Sequence, residues 1–360
     1  MHILVLGGTV FLGRHIVDAA LAGGHKVTLL NRGRSGAGFY PQCEQLVGDR
    51  DGDLSALNGR RFDAVIDTSG YLPGQVERSA GLLADTVERY VFVSSGSVYA
   101  EPVPHGADES APLATLGAHP ADELSGPAYG ALKALCEQAA EARMPGRVLA
   151  LRAGLIVGPH DKSERYTYWP RRMARGGEVL APGPGSRPVQ YIDARDLALW
   201  ILHCLANGTA GTFNVAGPGE QHDFAAMLAA CGQASRAPEQ QTQSDQPEPS
   251  PSSLPQPSVT WVDEEFLLDQ EVGPWLELPL WLPAGSDGLM QMDCSRAIAA
   301  GLRCRPPAET AADTLAWDQS RTDERGVTVS SLSGATLQVG LRAEREAELL
   351  EAWHGRSRSP

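Results

Sequence analysis

The sequence predicts an α/β protein: a doubly wound parallel sheet with helices on both faces, followed by a smaller C-terminal lobe. Three observations carry that prediction. Met1 to Leu6 is an apolar run that passes directly into Gly7-Gly8-Thr9-Val10-Phe11-Leu12-Gly13 and a helical pattern through Leu21. Strand, glycine turn and helix in that order form a dinucleotide-binding layout, in which backbone approaches a pyrophosphate and the helix N-terminus faces its charge. Further short apolar runs recur between helical patterns, the alternation that builds a parallel sheet. Finally, Tyr129 and Lys133 stand four residues apart on a predicted helix, just downstream of Val91-Phe-Val-Ser-Ser95.

Composition sets the outer limits. With 360 residues the chain has ample core for one large domain or two unequal ones. A net charge of −14 argues against a polyanionic partner, because phosphate-backbone binding needs clustered Lys and Arg. Nucleic acid is therefore not expected as a partner. The six cysteines are scattered, without Cys-x-x-Cys or metal-like spacing to histidine. They read as thiols of a reducing cytosol, and no metal is expected. The opening apolar run is too short for a signal or a membrane span, so the expected location is cytoplasmic.

The elements follow in order. His25-Lys-Val-Thr-Leu-Leu30 is the second strand and ends in Asn31-Arg32-Gly33-Arg34. An acidic residue about 20 positions after the glycine turn would hold an adenosine ribose 2′-hydroxyl, whereas arginine accommodates a 2′-phosphate. Asn31, Arg32 and Arg34 thus point to NADP, with NAD as the alternative. Gln45-Leu-Val47 is a short third strand ending at Gly48-Asp49-Arg50. Phe62 to Asp67 is the fourth, and the small-residue wall Thr68-Ser69-Gly70 follows it, then Tyr71. Pro73 to Glu88 reads as an amphipathic helix with Val76, Leu82, Leu83 and Val87 on its apolar face.

Val91-Phe-Val-Ser-Ser95 is a buried strand that delivers Ser95 to the carboxyl edge of the sheet. Pro102 to Ser125 lacks periodicity and reads as a loop at the rim of the site. Residues four apart on a helix share a face, so Tyr129 and Lys133 can aim a phenol and an ammonium at one point. A free tyrosine titrates near about 10, and each pKa unit is worth roughly 1.4 kcal/mol, so a tyrosine base needs an adjacent positive charge. Lys133 supplies it.

Arg147 to Arg152 is another buried strand, leading to Ala153-Gly-Leu-Ile-Val-Gly-Pro-His-Asp161. Arg165-Tyr-Thr-Tyr-Trp169, with Arg171 and Arg172, is the densest aromatic and basic cluster in the chain. Such a cluster can stack a ring or hold an anion, and it can equally be the packed base of a helix. The substrate candidates are Tyr71, Ser97, His160, Tyr166, Tyr168, Trp169 and Arg171. Trp200 to Leu205 reads as helix and Gly211 to Ala216 as a strand. Residues 233–258 turn to Gln, Ser, Pro and Glu, a composition that cannot bury enough apolar surface to order itself, so a surface excursion is expected. Trp275 to Trp281 is strongly apolar, and Arg342 to Trp353 reads as a peripheral amphipathic helix.

The glycine turn, the Ser95 strand and Tyr129-Gly-Ala-Leu-Lys133 together resemble the extended short-chain dehydrogenase/reductase superfamily, of the NAD(P)-dependent epimerase/dehydratase type. That resemblance implies a Rossmann domain over 1–155 with return segments at about 188–216. A substrate lobe would comprise 156–187 and 217–325, with 326–360 as a peripheral segment. It implies Ser95, Tyr129 and Lys133 as the catalytic triad. It implies Gly7, Thr9, Val10, Phe11, Leu12, Gly13, Asp49, Arg50, Thr68, Ser69, Gly70 and Ile156 as cofactor contacts, with Asp49 at the adenine. Val10 replaces the middle glycine of the superfamily pattern. The resemblance also implies a homodimer through the Pro73 helix and the Tyr129 helix. Sugar dehydratases carry Asp and Glu directly after the catalytic hydroxyl, where this chain has Gly96 and Ser97, so dehydration by that route is disfavoured. The expected activity is an NADP-dependent oxidoreductase acting on a small-molecule carbonyl or hydroxyl. A nucleotide-sugar epimerase that retains NAD is the alternative, and a non-catalytic dinucleotide- or RNA-binding relative the second.

Overall fold

The structure, a computed structural model, describes residues 1–33, 38–217, 222–235, 255–321, 328–330 and 336–356. Arg34 and most of the 233–258 segment lie outside the described residues. The chain divides into two compact units. Unit 1 holds residues 1–156, 190–220 and 288–304, and unit 2 holds 157–189, 221–287 and 305–360.

Unit 1 is built on a parallel sheet. Its elements in chain order are β1 (His2–Leu6), α1 (Leu12–Ala22), β2 (Lys26–Asn31), β3 (Glu44–Val47), β4 (Phe62–Asp67) and α2 (Pro73–Leu83). They continue with β5 (Val87–Val93), α3 (Tyr129–Arg143), β6 (Val148–Ala153), α4 (Ala194–Ala206) and β7 (Gly211–Val215). The seven strands lie in the order β7-β6-β5-β4-β1-β2-β3, every neighbouring pair parallel. The order reverses between β1 and β4, so the carboxyl ends of these two strands flank a crevice, the usual ligand position in such sheets.

Alternation of side chains along each strand explains why the runs are apolar throughout. Ile3, Val5, Val91 and Val93 face one layer with α1 and α4, while Leu4, Leu6, Tyr90 and Phe92 face the other with α2 and α3. The α2 helix is shorter than the predicted span to Glu88. It stops at Leu83, and Val87 and Glu88 belong to β5, where Val87 pairs with Phe62 on β4.

The segment 288–304 joins unit 1, not the C-terminal lobe expected from the sequence. Asn214 on β7 donates through Nδ2 to the Asp293 carbonyl, and Trp200 on α4 donates through Nε1 to that of Ala300. In unit 2, Glu178–Pro182 pairs in parallel with Ser258–Val262, and the helices Tyr168–Ala174, Phe224–Ala234 and Pro307–Ser320 pack together. The C-terminal helix Ala343–Arg356 is part of this unit. Its Glu346 accepts from the Leu180 amide at 3.0 Å and from Arg172 Nε at 2.6 Å. No helix among the described residues is long and apolar enough to cross a membrane.

Candidate active site

The glycine turn leaves β1 in a backbone shape that side chains resist. Gly7 and Gly8 have φ of +108° and +89°. A Cβ on Gly7 would stand 2.5 Å from Thr68 Oγ1, and one on Gly13 would stand 2.7 Å from the Gly8 backbone. The first turn of α1 therefore rests directly on the loop that precedes it. Val10, in the place of the middle glycine, is 47% exposed, so its side chain stands outside the bend. Phe11 precedes α1 without a capping side-chain bond, and the first turn carries no acidic residue. An uncapped helix start beside a glycine bend suits an anionic group.

At the end of β2, the side chain of Asn31 accepts the Gly33 amide at 2.8 Å, and Arg32 is exposed. Arg14, which sequence reasoning passed over, belongs to the same neighbourhood. Its guanidinium lies 4.8 Å from the centre of the Phe39 ring, its carbonyl accepts from Tyr40 Oη, and its Nε is buried without a hydrogen-bond partner among the described residues. The signal was its position directly after Gly13, on the first turn of α1.

Asp49 and Arg50 differ in their employment. Asp49 accepts the Asp51 amide at 3.0 Å, closing a local turn. Arg50 was expected at the cofactor and is not open to one: it is buried and paired to Asp67 at 2.5 Å. A guanidinium taken out of water needs such a partner. Asp67 in turn accepts from Tyr90 Oη at 2.8 Å and from the Ser69 amide at 3.0 Å, which sets the course of Thr68-Ser69-Gly70. Thr68 and Ser69 both donate to the Leu6 carbonyl, tying this wall to the start of the glycine turn.

Ser95 caps a short 3₁₀ turn, Gly96–Val98, just beyond β5. Its Oγ accepts the Ser97 amide at 3.1 Å, which leaves the hydroxyl proton as a donor. Tyr129 opens α3, and the approach of this helix to the Ser95 turn depends on the next residue. A Cβ on Gly130 would overlap the carbonyl oxygen of Ser97. One helical turn on, Lys133 is only 3% exposed, and its Nζ donates to Gly70 O at 2.8 Å and Val93 O at 2.7 Å. The Phe92 ring centre lies 4.2 Å from the same ammonium and that of Tyr71 5.5 Å. Burial pushes this lysine down to about 8, against the opposing pull of Cys136, Asp67 and Glu137. Tyr71 is raised by burial, and next by the charge of Asp67.

The remaining substrate candidates, His160, Tyr166, Tyr168, Trp169 and Arg171, belong to unit 2, and of the two readings of the aromatic and basic cluster the packed one describes its aromatic residues. Trp169 is fully buried and donates to Pro279 O at 2.9 Å; Tyr166 and Tyr168 are buried with it. Arg171 and Arg321 share Glu164 and Asp318 in a four-residue ring of ion pairs. Their charge is neutralised internally, so no anion is needed to balance it. His160, at φ +71°, packs edge-on against Trp317. Ile156 lies just beyond β6, in unit 1.

Residues 3–216 match the pattern of the NAD-dependent epimerase/dehydratase family. The chain belongs to that family. A chloroplast stem-loop binding protein of 41 kDa from Arabidopsis thaliana is 26% identical over 66% of this chain and 64% of its own length. The chain thus spans less than two thirds of that relative. The 2-alkyl-3-oxoalkanoate reductase of Stenotrophomonas maltophilia is 29% identical over 58% of this chain and 68% of its own length. Among solved structures, UDP-glucose 4-epimerase from Thermus thermophilus, in complex with NAD, covers 89% of this chain and all of its own, with a TM-score of 0.57 and 20% identity. At that identity the likeness concerns the fold. The epimerase/dehydratase family includes NAD(P)-dependent enzymes, and the glycine bend with its uncapped helix fits a dinucleotide.

Proposed function

We propose that this family member is an NADP-dependent oxidoreductase that interconverts a carbonyl and an alcohol on a small molecule. The observation that supports the reading most is the approach of α3 to the end of β5: Gly130 lies against the Ser97 carbonyl and Lys133 holds the Gly70 and Val93 carbonyls, within the unit that also carries the glycine bend. Ser95 offers a hydroxyl proton to the substrate oxygen. Tyr129 passes a proton to or from that oxygen, and the Lys133 ammonium favours the ionised phenol. With two N–H groups given to Gly70 and Val93, Lys133 keeps a third for a ribose hydroxyl. When bound, the nicotinamide supplies or accepts the hydride. Gly7, Gly8 and Gly13 let the bend pack tightly enough for backbone to approach a pyrophosphate, and Arg32 with Arg14 favours a 2′-phosphate over a free hydroxyl.

The test is a purification followed by a screen. Gel-filtered protein is analysed for retained dinucleotide, then assayed for NADPH oxidation with 3-oxoalkanoates, aromatic ketones and keto sugars. Turnover in the wild type that is lost in Tyr129→Phe supports the reductase. Stoichiometric NAD that survives gel filtration replaces it with the epimerase reading. Stem-loop RNA binding untouched by Tyr129→Phe, without any turnover, replaces both with a binding protein.

A further inference from the structure

The face of α3 that carries Tyr129 and Lys133 bears one more ionisable residue a turn further on, Glu137, which the proposed chemistry does not use. It is buried, and its two oxygens are fully engaged. Oε1 accepts from Ser94 Oγ at 2.5 Å and from Arg152 Nε at 3.2 Å, while Oε2 accepts from Arg152 Nη2 at 2.8 Å. Arg152 is itself held at the end of β6 by the Glu109 carbonyl at 2.9 Å and by Tyr99 Oη at 3.2 Å. Tyr99 then donates to Asn214 on β7 at 2.5 Å. Glu137 therefore stands on a base that spans β6 and β7 as well as its own helix.

Its grip on Ser94 matters because of what lies on either side of that residue. Successive turns of α3 hold successive residues of one strand end: Lys133 takes the Val93 carbonyl, and Glu137 takes the Ser94 hydroxyl. The Ser94 amide donates to Leu151 O at 2.8 Å. Ser95 comes next in the chain, with its Oγ accepting the Ser97 amide, and Ser97 O lies against Gly130 on the first turn of α3.

We infer that Glu137 is a positioning residue for the triad, which acts through the Ser94 hydroxyl to hold Ser95 in register with Tyr129 on the same helix. This inference rests on the oxidoreductase reading. The bond to Ser94 and the ion pair to Arg152 are separable roles. Ser94→Ala removes the first and leaves the second. Glu137→Gln keeps an acceptor for Ser94 and weakens the second.

The experiment measures steady-state constants with the carbonyl substrate found in the screen, dinucleotide affinity by fluorescence, and melting temperature. For Ser94→Ala we expect kcat to fall about 10- to 100-fold, the scale set by small misplacement of a catalytic group, with KM, dinucleotide affinity and melting temperature near the wild type. Glu137→Gln should melt earlier yet keep a kcat above that of Ser94→Ala. A Ser94→Ala enzyme with wild-type kcat overturns the inference, and so does a kcat loss in Glu137→Gln that merely tracks its melting temperature while Ser94→Ala is unaffected. If instead the wild type has no turnover, or Tyr129→Phe does not reduce it, the oxidoreductase reading itself has failed and this inference goes with it.

Discussion

Replacing Lys133 by methionine isolates the cost of burying an ammonium at the carboxyl edge of the sheet. The side chain is 3% exposed, and burial lowers it from 10.5 to about 8, with Asp67, Glu137 and Cys136 pulling the other way and Arg50 adding to the fall. A shift of that size corresponds to about 3 kcal/mol of strain on the folded state at neutral pH. The sign follows from proton counts. Between about pH 8 and about pH 10.5 the folded chain has released this proton while the unfolded chain still holds it, so stability rises with pH across that window. Methionine cannot titrate. The stability of the wild type minus that of Lys133→Met, from urea unfolding followed by tryptophan fluorescence, should therefore climb by about 2 kcal/mol between about pH 7 and about pH 9.5. A flat difference curve would refute the idea that this ammonium is held dry by Gly70 O, Val93 O and the Phe92 ring.

Other perturbations test the remaining parts of the site. Gly130→Ala should push the first turn of α3 off the Ser97 carbonyl and cost turnover about 100-fold, with dinucleotide affinity measured by fluorescence left near the wild type. Arg32→Gln and Arg14→Gln should each weaken 2′,5′-ADP about 10-fold in calorimetry while leaving ADP unchanged, about 1.4 kcal/mol per guanidinium. Asp161 in unit 2 is buried, and burial raises it from 3.8 to about 6 against its bonds from Ser163. Folded protein then keeps a proton that unfolded chain has lost, so stability falls by about 3 kcal/mol as pH rises from about 4 through about 6. Asp161→Asn should abolish that fall, as read from melting temperatures across the range.

The parts of the site that were legible in the sequence are those where a local rule leaves few alternatives. Gly7 and Gly13 stand in a pattern that only a tight strand-to-helix bend explains, and Thr68 and the Gly8 backbone occupy the space a Cβ would need at each. Tyr129 and Lys133 are related by helix geometry alone. The side chains that the sequence assigned otherwise are those whose partners lie far away along the chain. Arg50 looks like a ligand-facing cation until Asp67, seventeen positions on at the end of β4, takes up its charge. Arg171 looks free until Asp318 closes the ring around it. Glu137 carries no signal of its own, because its meaning comes from Ser94 and Arg152 arriving at one point from two strands.

By itself, then, the sequence determined the alternation of strands and helices, the glycine bend and the pairing of a phenol with an ammonium on one helical face. Each of these is set by contacts within a few residues, where backbone sterics and helical period act directly. Only the tertiary structure decided which charges are consumed inside the protein and which remain for a ligand. Burial makes an unpaired charge too costly to leave, and its partner can come from any element that folding brings alongside.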